Sequence, residues 1–331
     1  MSMAFRISPL WWPLLALASP AVAPWLLVRN RRFLQNCDRA AERNRARLER
    51  AVPLDLPALD HLDLTVLVEW RASEGFLGDA GVSYLIETDG GTLLYDIGFG
   101  ATRPALAHNA RRLDIDLDRV QALAISHLHL DHMGGLDAQR TRQVTVAPQF
   151  LPSDPRPCFL PAQAAAPGFE AEVVEGPRPL EAGMASTGPL ARSLFFGGLL
   201  EEQALVARLE GKGLVVLTGC GHPGIDVILH MLRRLSDEPL YAVGGGLHFP
   251  VTGGRGNRAG IQFQTLVGTG KPPWQQITDQ DLSRTIAVLN AAGPQKVYLS
   301  AHDTCDHALH RLQAELRAET QVLAAGATYR L

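Results

Sequence analysis

One short segment of the chain carries four side chains that can bind a metal. Within six positions the sequence places His127, His129, Asp131 and His132. They follow the apolar run at residues 120–125, which is typical of a β-strand bounded by polar residues. The fold therefore has to place this cluster at the end of a strand.

The spacing within the cluster predicts two metal sites. Alternate side chains of an extended segment point the same way, so His127 and His129 can bind one ion while Asp131 and His132 turn toward a second. Two ions roughly 3.5 to 4 Å apart can share a water, lower its pKa toward about 7 and hold the oxygens of a displacement reaction. The ligand types suit Zn²⁺, with Mn²⁺ and Fe²⁺ as alternatives. We therefore expect a hydrolase core with two divalent metal ions.

Followed by Gly134 and Gly135, this segment resembles the signature of the metallo-β-lactamase-fold hydrolases. The resemblance runs from roughly residue 62 to the C-terminus. Residues 217–225, 244–248 and 300–305 are similar to one branch, that of the archaeal dihydropterin ribofuranosylaminobenzene phosphate synthase. The branch more often has His-Cys-Thr-Gly where this chain has His-Asp-Thr-Cys at residues 302–305. The ligand histidine is therefore shared with the branch, but the resemblance does not identify the substrate.

The resemblance implies an α+β fold, a four-layer αββα sandwich, and roles for residues outside the cluster. Asp96 would orient a ligand histidine, His222 would complete the first metal site and His302 the second. Cys220 lies where many members have an aspartate that bridges the metals, and it is either a softer ligand or a buried free thiol. His248 would have a role in the active site.

The mechanism expected from this set is attack by a metal-bound hydroxide, with Asp131 and His248 as the catalytic residues. Arg255 and Arg258, in a glycine-rich basic loop, are predicted to contact an anionic group of the substrate. Three functions remain open: a hydrolase of phosphoesters or lactones, a pterin-linked synthase that uses a phosphoribosyl donor, and a non-catalytic metal-binding or redox sensor domain.

The N-terminal segment predicts a membrane anchor. Residues 7–28 carry no charge and, as a helix rising about 1.5 Å per residue, would span the roughly 30 Å hydrocarbon core. A cleaved signal peptide is the rival interpretation, because Ala21-Val22-Ala23 resembles a cleavage site, but Pro24 directly after it is unfavourable. We therefore predict an anchor with a basic juxtamembrane helix at residues 1–50 and a catalytic domain at 51–331.

The charge pattern predicts the orientation of the anchor. Arg6 alone precedes the apolar run, whereas seven arginines between positions 29 and 47 follow it, which favours a cytoplasmic catalytic domain. The four cysteines have no paired spacing, which suits a reducing compartment. A formal net charge of -3 and a pI near 6.4 give no general attraction to nucleic acid, so a small-molecule substrate is the expected partner.

Alternating apolar patterns predict the sheets. Asp89-Gly90-Gly91 and Gly211-Lys212-Gly213 mark hairpin turns, and residues 225–235 and 278–289 have helical patterns. Seven prolines between positions 152 and 179 interrupt the segment at residues 141–200, which predicts a loop-rich insertion without long helices. The resemblance implies that such an insertion covers the metal site.

Overall fold

The computed structural model describes residues 7–331, except for the side chains of Leu117 and Arg258. The predictions that concern Arg6 and the Arg258 side chain therefore lie outside the described residues. The α-helices within this range are α1 (Trp12–Arg50), α2 (Ala105–Arg112), α3 (Leu130–Met133), α4 (Leu136–Thr141), α5 (Ile225–Leu235), α6 (Phe263–Val267), α7 (Asp279–Ala292) and α8 (Asp306–Glu315).

Most of the strands belong to two large sheets. The strands are β1 (Ala58–Leu59), β2 (Leu62–Val68), β3 (Ser83–Thr88), β4 (Gly91–Tyr95), β5 (Ala122–Ala124), β6 (Pro157–Leu160), β7 (Glu170–Val173), β8 (Arg178–Pro179), β9 (Ala185–Ser186), β10 (Leu190–Leu194), β11 (Gly198–Glu202), β12 (Leu205–Leu209), β13 (Gly213–Thr218), β14 (Leu240–Gly245), β15 (Asn257–Arg258), β16 (Ile261–Gln262), β17 (Lys296–Leu299), β18 (Glu319–Val322) and β19 (Thr328–Arg330).

Each of the two sheets combines strands from the N-terminal part of the chain with strands from its C-terminal part. The first has the order β19-β2-β3-β4-β5-β6-β7, and the second has the order β18-β17-β14-β13-β12-β9-β8, with β1 beside β12. The pairs β10–β11 and β15–β16 are separate two-stranded hairpins. The hairpins predicted around Gly90-Gly91 and Lys212 are confirmed as β3–β4 and β12–β13.

The strands alternate between two apolar layers because successive side chains point to opposite faces of a sheet. In β13, Val215 and Leu217 pack in the cluster between the two sheets. Their neighbours Leu214 and Val216 pack in the cluster that contains residues of α5, α7 and α8. A third cluster places α2 against the outer face of the first sheet. The layers are therefore helix, sheet, sheet and helix, which confirms the predicted αββα architecture.

Two predicted helices form for identifiable reasons, α5 with the expected bounds and α7 with its end at Ala292, three residues beyond the expected Leu289. In α5 the apolar residues fall at helical spacing and are buried against the second sheet. The N-terminus of α7 is fixed by a capping box, in which Thr278 accepts from the Asp281 backbone N–H and the Asp281 side chain accepts from that of Thr278. Both helices lie on the outer face of the second sheet and leave the strand ends free.

The segment at residues 141–200 differs in part from its prediction. The described residues between 142 and 200 contain no α-helix, as expected, but β6 to β9 extend the two large sheets. The prolines are tolerated because Pro157 begins β6, and Pro179 lies in β8 at the edge of its sheet. Only the β10–β11 hairpin stands apart from the sheets.

Helix α1 has 39 residues and two distinct halves. Its first half is exposed, and together with the preceding turn from Pro9 it is long and apolar enough to cross a membrane. Its second half packs on β10, where the buried Asn44 side chain donates to the Ala191 carbonyl and accepts from the Ala191 N–H. Phe33 is also buried there, and its carbonyl accepts from the Ser193 hydroxyl. The basic segment is thus part of a continuous helix that packs on the β10–β11 hairpin.

Candidate metal centre

The predicted site residues follow the carboxyl ends of five strands. Strands β4 and β5 are parallel neighbours, and so are β13, β14 and β17, so that within each sheet these ends meet at one edge. The residues that follow the ends are Asp96 after β4, the cluster from His127 to His132 after β5, Cys220 and His222 after β13, His248 after β14 and His302 after β17.

A first set of donor atoms comes from His127, Cys220 and His222. The three atoms lie within 4.8 Å of one another. His129 completes this group, because its Nδ1 lies 3.0 Å from His127 Nε2 and its ring centroid lies 5.0 Å from that of His222. These are the residues that the sequence predicts for the first metal, with the thiol added.

A second set comes from Asp131, His132, Cys220 and His302, whose donor atoms also lie within 4.8 Å of one another. The Cys220 sulfur lies 3.1 Å from His132 Nε2 and 3.2 Å from His302 Nε2. Cys220 therefore stands between the two sets. Burial raises the pKa of its thiol well above the ordinary value, so a bound cation is what would favour the thiolate.

His248 adjoins both sets from the end of β14. Its backbone has a φ of +57°, a costly conformation for a residue with a Cβ, and its N–H donates to Asp303 Oδ2 at 3.0 Å. The ring lies 4.6 Å from the His222 ring, centroid to centroid. One donor atom each from Cys220, His248 and Asp303 also fall within 4.8 Å, so the structure brings His248 into the centre.

The chemistry of the donor set fits divalent cations. Burial lowers the pKa values of His127, His222 and His302 well below the ordinary value, so these imidazoles are neutral and carry a free lone pair. The Nε2 atom of His222 is buried and has no hydrogen-bond partner among the described residues. A cation bound here would give this buried nitrogen, which lies beside other ring nitrogens, the partner that it needs.

Asp96 organises the histidines through a serine. Ser126 donates both its backbone N–H and its hydroxyl to the Asp96 carboxylate, at 2.7 and 2.6 Å. The same hydroxyl lies 2.9 Å from His127 Nδ1, and His132 Nδ1 lies 2.7 Å from Asp96. With protons on both Nδ1 atoms, the two Nε2 atoms are left as donors to a metal. Burial alone would lower the pKa of His132, but Asp96 and Asp131 raise it to about 9.

Glu69 performs the same task for the second sheet. Its buried carboxylate accepts from the Ser300 hydroxyl and from the backbone N–H of Ala301. The Ser300 hydroxyl in turn lies 2.5 Å from His302 Nδ1. Burial raises the pKa of Glu69 to about 7, and its hydrogen bonds oppose this shift. A carboxylate, a serine and a histidine are thus connected on both sides of the centre.

Glu202 holds the backbone turn that carries Cys220. One of its oxygens accepts from the N–H groups of Gly219, Cys220 and Gly221, at 3.1, 3.0 and 2.8 Å, and the other accepts from that of His222 at 2.8 Å. The turn passes so close to the first sheet that a Cβ on Gly219 would lie 2.1 Å from the Ser126 hydroxyl. Glycine is therefore required at position 219, and Glu202 replaces water as the partner of four buried N–H groups.

Replacing Ser126 by alanine is expected to weaken metal binding about 10- to 100-fold, because His127 loses the group that orients its ring. The measurement is a competition titration with a chromogenic zinc chelator. Ser83→Ala is the matched control, since the Ser83 hydroxyl is also buried but has no hydrogen-bond partner in the described part of the chain. Equal zinc affinity in the two variants would contradict the orienting role of Ser126.

The basic residues near the centre differ from the prediction. The Arg255 guanidinium donates to the carbonyls of Ala301 and Thr304 and pairs with Asp306 at 2.9 Å. Its contact with substrate stays a prediction that would require breaking these bonds. Arg192, on β10, has no ion pair or side-chain hydrogen bond among the described residues, and its positive charge contributes to lowering the pKa of His222, after burial and the neighbouring histidines.

Five residues with a clear place at the centre were not assigned such a role from the sequence: Ser126, Glu69, Glu202, Asp303 and Arg192. Ser126 and Glu69 carried a usable signal, because each lies directly at or after a strand end, where orienting groups are needed. Arg192 lies on β10, in the segment that was expected to be irregular, and Glu202 ends β11 just beyond that segment. Nothing in their local sequence marks them.

An αββα sandwich with converging histidine, carboxylate and thiol groups at its strand ends defines a metal-binding class of protein. Residues 77–147, which include the cluster from His127 to His132, match the family model of the metallo-beta-lactamase superfamily. No curated protein matches the chain.

Two solved structures share this architecture. Tm1679, described as a metal-dependent hydrolase of the beta-lactamase superfamily, has 22% sequence identity and a TM-score of 0.57, covering 81% of this chain and 98% of that one. The metallo-beta-lactamase fold protein YhfI from Bacillus subtilis has 15% identity and a TM-score of 0.50, covering 82% and 100%. The chain thus has the metallo-β-lactamase fold, as the sequence predicted, while the synthase-like branch stays a prediction.

Proposed function

We propose that this chain is a membrane-attached hydrolase that uses two divalent metal ions to cleave a small anionic ester, either a phosphoester or a lactone. The observation that carries the proposal is the pair of donor sets that meet at Cys220. Each set contains a neutral histidine, His127 in the first and His302 in the second, whose far ring nitrogen is held by a carboxylate through a serine. Zn²⁺ is the expected ion, because imidazole and thiolate together suit it.

When bound, the ions supply a water of lowered pKa and polarise the oxygen on which negative charge develops. The chain's own residues position this chemistry. Asp131 is the one residue of the second set that is partly exposed, with 21% of its side chain accessible, so it faces the side from which substrate arrives. Burial, followed by the charge of His129, lowers the pKa of His248 to about 4, so its neutral ring can accept a proton or a hydrogen bond.

Arg192 is the residue that we propose for the anionic group of the substrate. Its guanidinium has no hydrogen bond or ion pair with any residue that the structure describes, unlike that of Arg255, and its positive charge contributes to lowering the pKa of His222, after burial and the neighbouring histidines. Guanidinium groups bind phosphate and carboxylate oxygens through paired hydrogen bonds. An anionic ester held by Arg192 would lie beside the first donor set.

Attachment to the membrane would use the exposed apolar half of α1. Eighteen consecutive residues of this region have a mean hydropathy of 1.5 and none of them is buried. The arginines that follow favour a cytoplasmic catalytic domain. Release of the chain from membranes by high salt alone would contradict this attachment.

The substrate class is tested with the full chain and added zinc or manganese. The probes are methyl p-nitrophenyl phosphate, p-nitrophenyl phosphate and a neutral lactone. Metal-dependent turnover in one class supports the proposal and names its chemistry. Bound metal without turnover of any probe would favour the synthase or the non-catalytic metal-binding alternative instead.

Replacing Arg192 by methionine is expected to raise the KM for the phosphodiester about tenfold, because one charge-assisted contact is lost. The KM for a neutral ester should change less than twofold. Arg111→Met is the control, since Arg111 is exposed on α2, a helix on the outer face of the first sheet. Equal KM values for the phosphodiester in both variants would remove Arg192 from the proposal.

A further inference from the structure

Residues 251–275, here called the lid, run from just beyond His248 to the turn before α7. The lid lies directly against the centre: a Cβ on Gly268 would be 2.3 Å from His248 Nε2, and Gln264 donates to the His302 carbonyl at 2.7 Å. A Cβ on Gly270 would be 2.5 Å from Arg192 Nε. The lid therefore covers both a predicted catalytic residue and Arg192.

Three large apolar side chains of the lid are exposed. Phe263 is 43%, Val267 is 39% and Trp274 is 55% accessible. Exposed apolar area costs free energy in water, at about 25 cal/mol per Å². A cover for a metal centre that took only small polar substrates would have no need of these side chains.

The lid is linked to the apolar N-terminal segment at two places, directly at residues 7–11 and through Phe195 and Phe196 near Trp25. At its start, the Trp11 indole N–H donates to the Ala259 carbonyl at 3.0 Å, and the Ser8 N–H donates to the Gly260 carbonyl at 2.9 Å. Ile7 forms an antiparallel bridge with Ile261. The apolar half of α1 is therefore held beside the lid at its N-terminal end.

A chain of aromatic rings makes the second contact. Trp25 stacks on Phe196 with 6.1 Å between ring centroids, Phe196 packs on Phe195 at 4.9 Å, and Phe195 packs on Trp274 at 5.3 Å. Because the lid adjoins both ends of the apolar segment, this segment lies along the surface of the domain, and lipid that contacts the segment would also reach the lid. The apolar surface of α1 thus continues onto the cover of the metal centre.

We propose that the substrate is a bilayer-borne amphiphile with an anionic headgroup, which enters the metal centre from the membrane beneath the lid. The tail would follow Phe263, Val267 and Trp274, and Arg192 would bind the headgroup next to the first donor set. This inference rests on the proposed function and names its substrate class. Exposed arginines at positions 31 and 32, just beyond the apolar half, suit a surface with anionic lipids.

The activity test compares two substrates that differ only in their tails. The full chain with zinc, in vesicles of phosphatidylcholine and phosphatidylglycerol, is given methyl p-nitrophenyl phosphate or hexadecyl p-nitrophenyl phosphate. We expect a kcat/KM about tenfold or more higher for the hexadecyl diester, equivalent to 1.4 kcal/mol. The Phe263→Ser/Val267→Ser variant should lose this preference, whereas Val52→Ser/Leu151→Ser, which changes exposed apolar residues outside the lid, should keep it.

A second test measures lipid contact without catalysis. In a Cys37→Ser background, where the remaining cysteines are buried, an environment-sensitive thiol label is placed at Phe263→Cys or at Leu151→Cys. Lipids brominated on the acyl chain should quench the label at position 263 and leave the label at position 151 unchanged. This result does not depend on the metal or on turnover.

Together the two tests distinguish a failure of the proposed hydrolysis from a failure of the proposed amphiphilic substrate and its lipid contact. Turnover of neither diester, with the label at position 263 quenched, would reject the proposed hydrolysis of phosphodiesters and retain the membrane contact. Equal kcat/KM values for the two diesters would overturn the amphiphile, and equal quenching at the two positions would overturn the lipid contact. Shielding of position 263 that appears without vesicles and grows with protein concentration would assign the lid surface to a second copy of the chain.

Discussion

The Asp131→Asn variant is expected to lose metal-dependent hydrolysis on the order of 10³-fold while keeping its fold. Asp131 is the only carboxylate of the second donor set, together with His132, Cys220 and His302. An amide oxygen carries no charge, so it binds a cation more weakly and balances less of its positive charge. The measurement is kcat/KM for the best substrate found, with the circular dichroism spectrum as the check on folding.

Asp137→Asn provides the matched control for this variant. Asp137 lies six positions further along, on α4, and its side chain is 91% exposed with only a long contact to Arg140. This control should retain wild-type turnover. If Asp131→Asn also retained it with metal bound, the assignment of Asp131 to the chemistry would be wrong.

The Glu202→Ala variant is expected to lose about 4 kcal/mol of unfolding free energy, since four buried N–H groups are left without an acceptor and a cavity opens. The groups belong to Gly219, Cys220, Gly221 and His222, so metal affinity should fall as well. Urea denaturation of the metal-free chain measures the first effect, and a zinc titration measures the second.

The adjacent glutamate supplies the control. Glu201 pairs with Arg43 and Arg47 at 2.9 and 2.7 Å near the surface, and Glu201→Ala should cost about 1 kcal/mol or less. Glu202→Gln, which keeps one accepting oxygen, should fall between the two. Similar losses of unfolding free energy in Glu201→Ala and Glu202→Ala would show that the four hydrogen bonds do not hold the turn.

The sequence predicted the parts of the molecule that depend on local spacing. The structure brings His127 and the pair Asp131 and His132 into different donor sets, although residues 130–133 form a helical turn and not the extended segment from which the division was predicted. Metal binding by these residues stays a prediction. The hairpin at Gly90-Gly91 and the capped helix after Thr278 depend on neighbouring residues. These predictions rested on backbone geometry that a few consecutive residues determine.

The parts that the sequence did not predict depend on residues far apart in the chain. Glu202 is an acceptor only because β11 brings it beside the turn at residues 219–222. Arg192 and Phe195 matter because the same hairpin fills the space between α1 and the centre, where residues 141–200 had suggested irregular structure. Arg255 was predicted to contact the substrate because it lies in a glycine-rich loop. Its guanidinium donates instead to residues distant in the sequence, such as the carbonyl of Ala301, which follows β17. Tertiary contacts, which spacing does not encode, decide each of these cases.

The central claim is that the two donor sets hold two divalent ions. Elemental analysis of the purified full chain, after dialysis against metal-free buffer, tests this claim most directly. We expect about two equivalents of zinc or manganese per chain, the number that shared-water chemistry requires. A folded chain that retains no divalent ion, even after incubation with an excess of zinc, would contradict the account from its first motif onward.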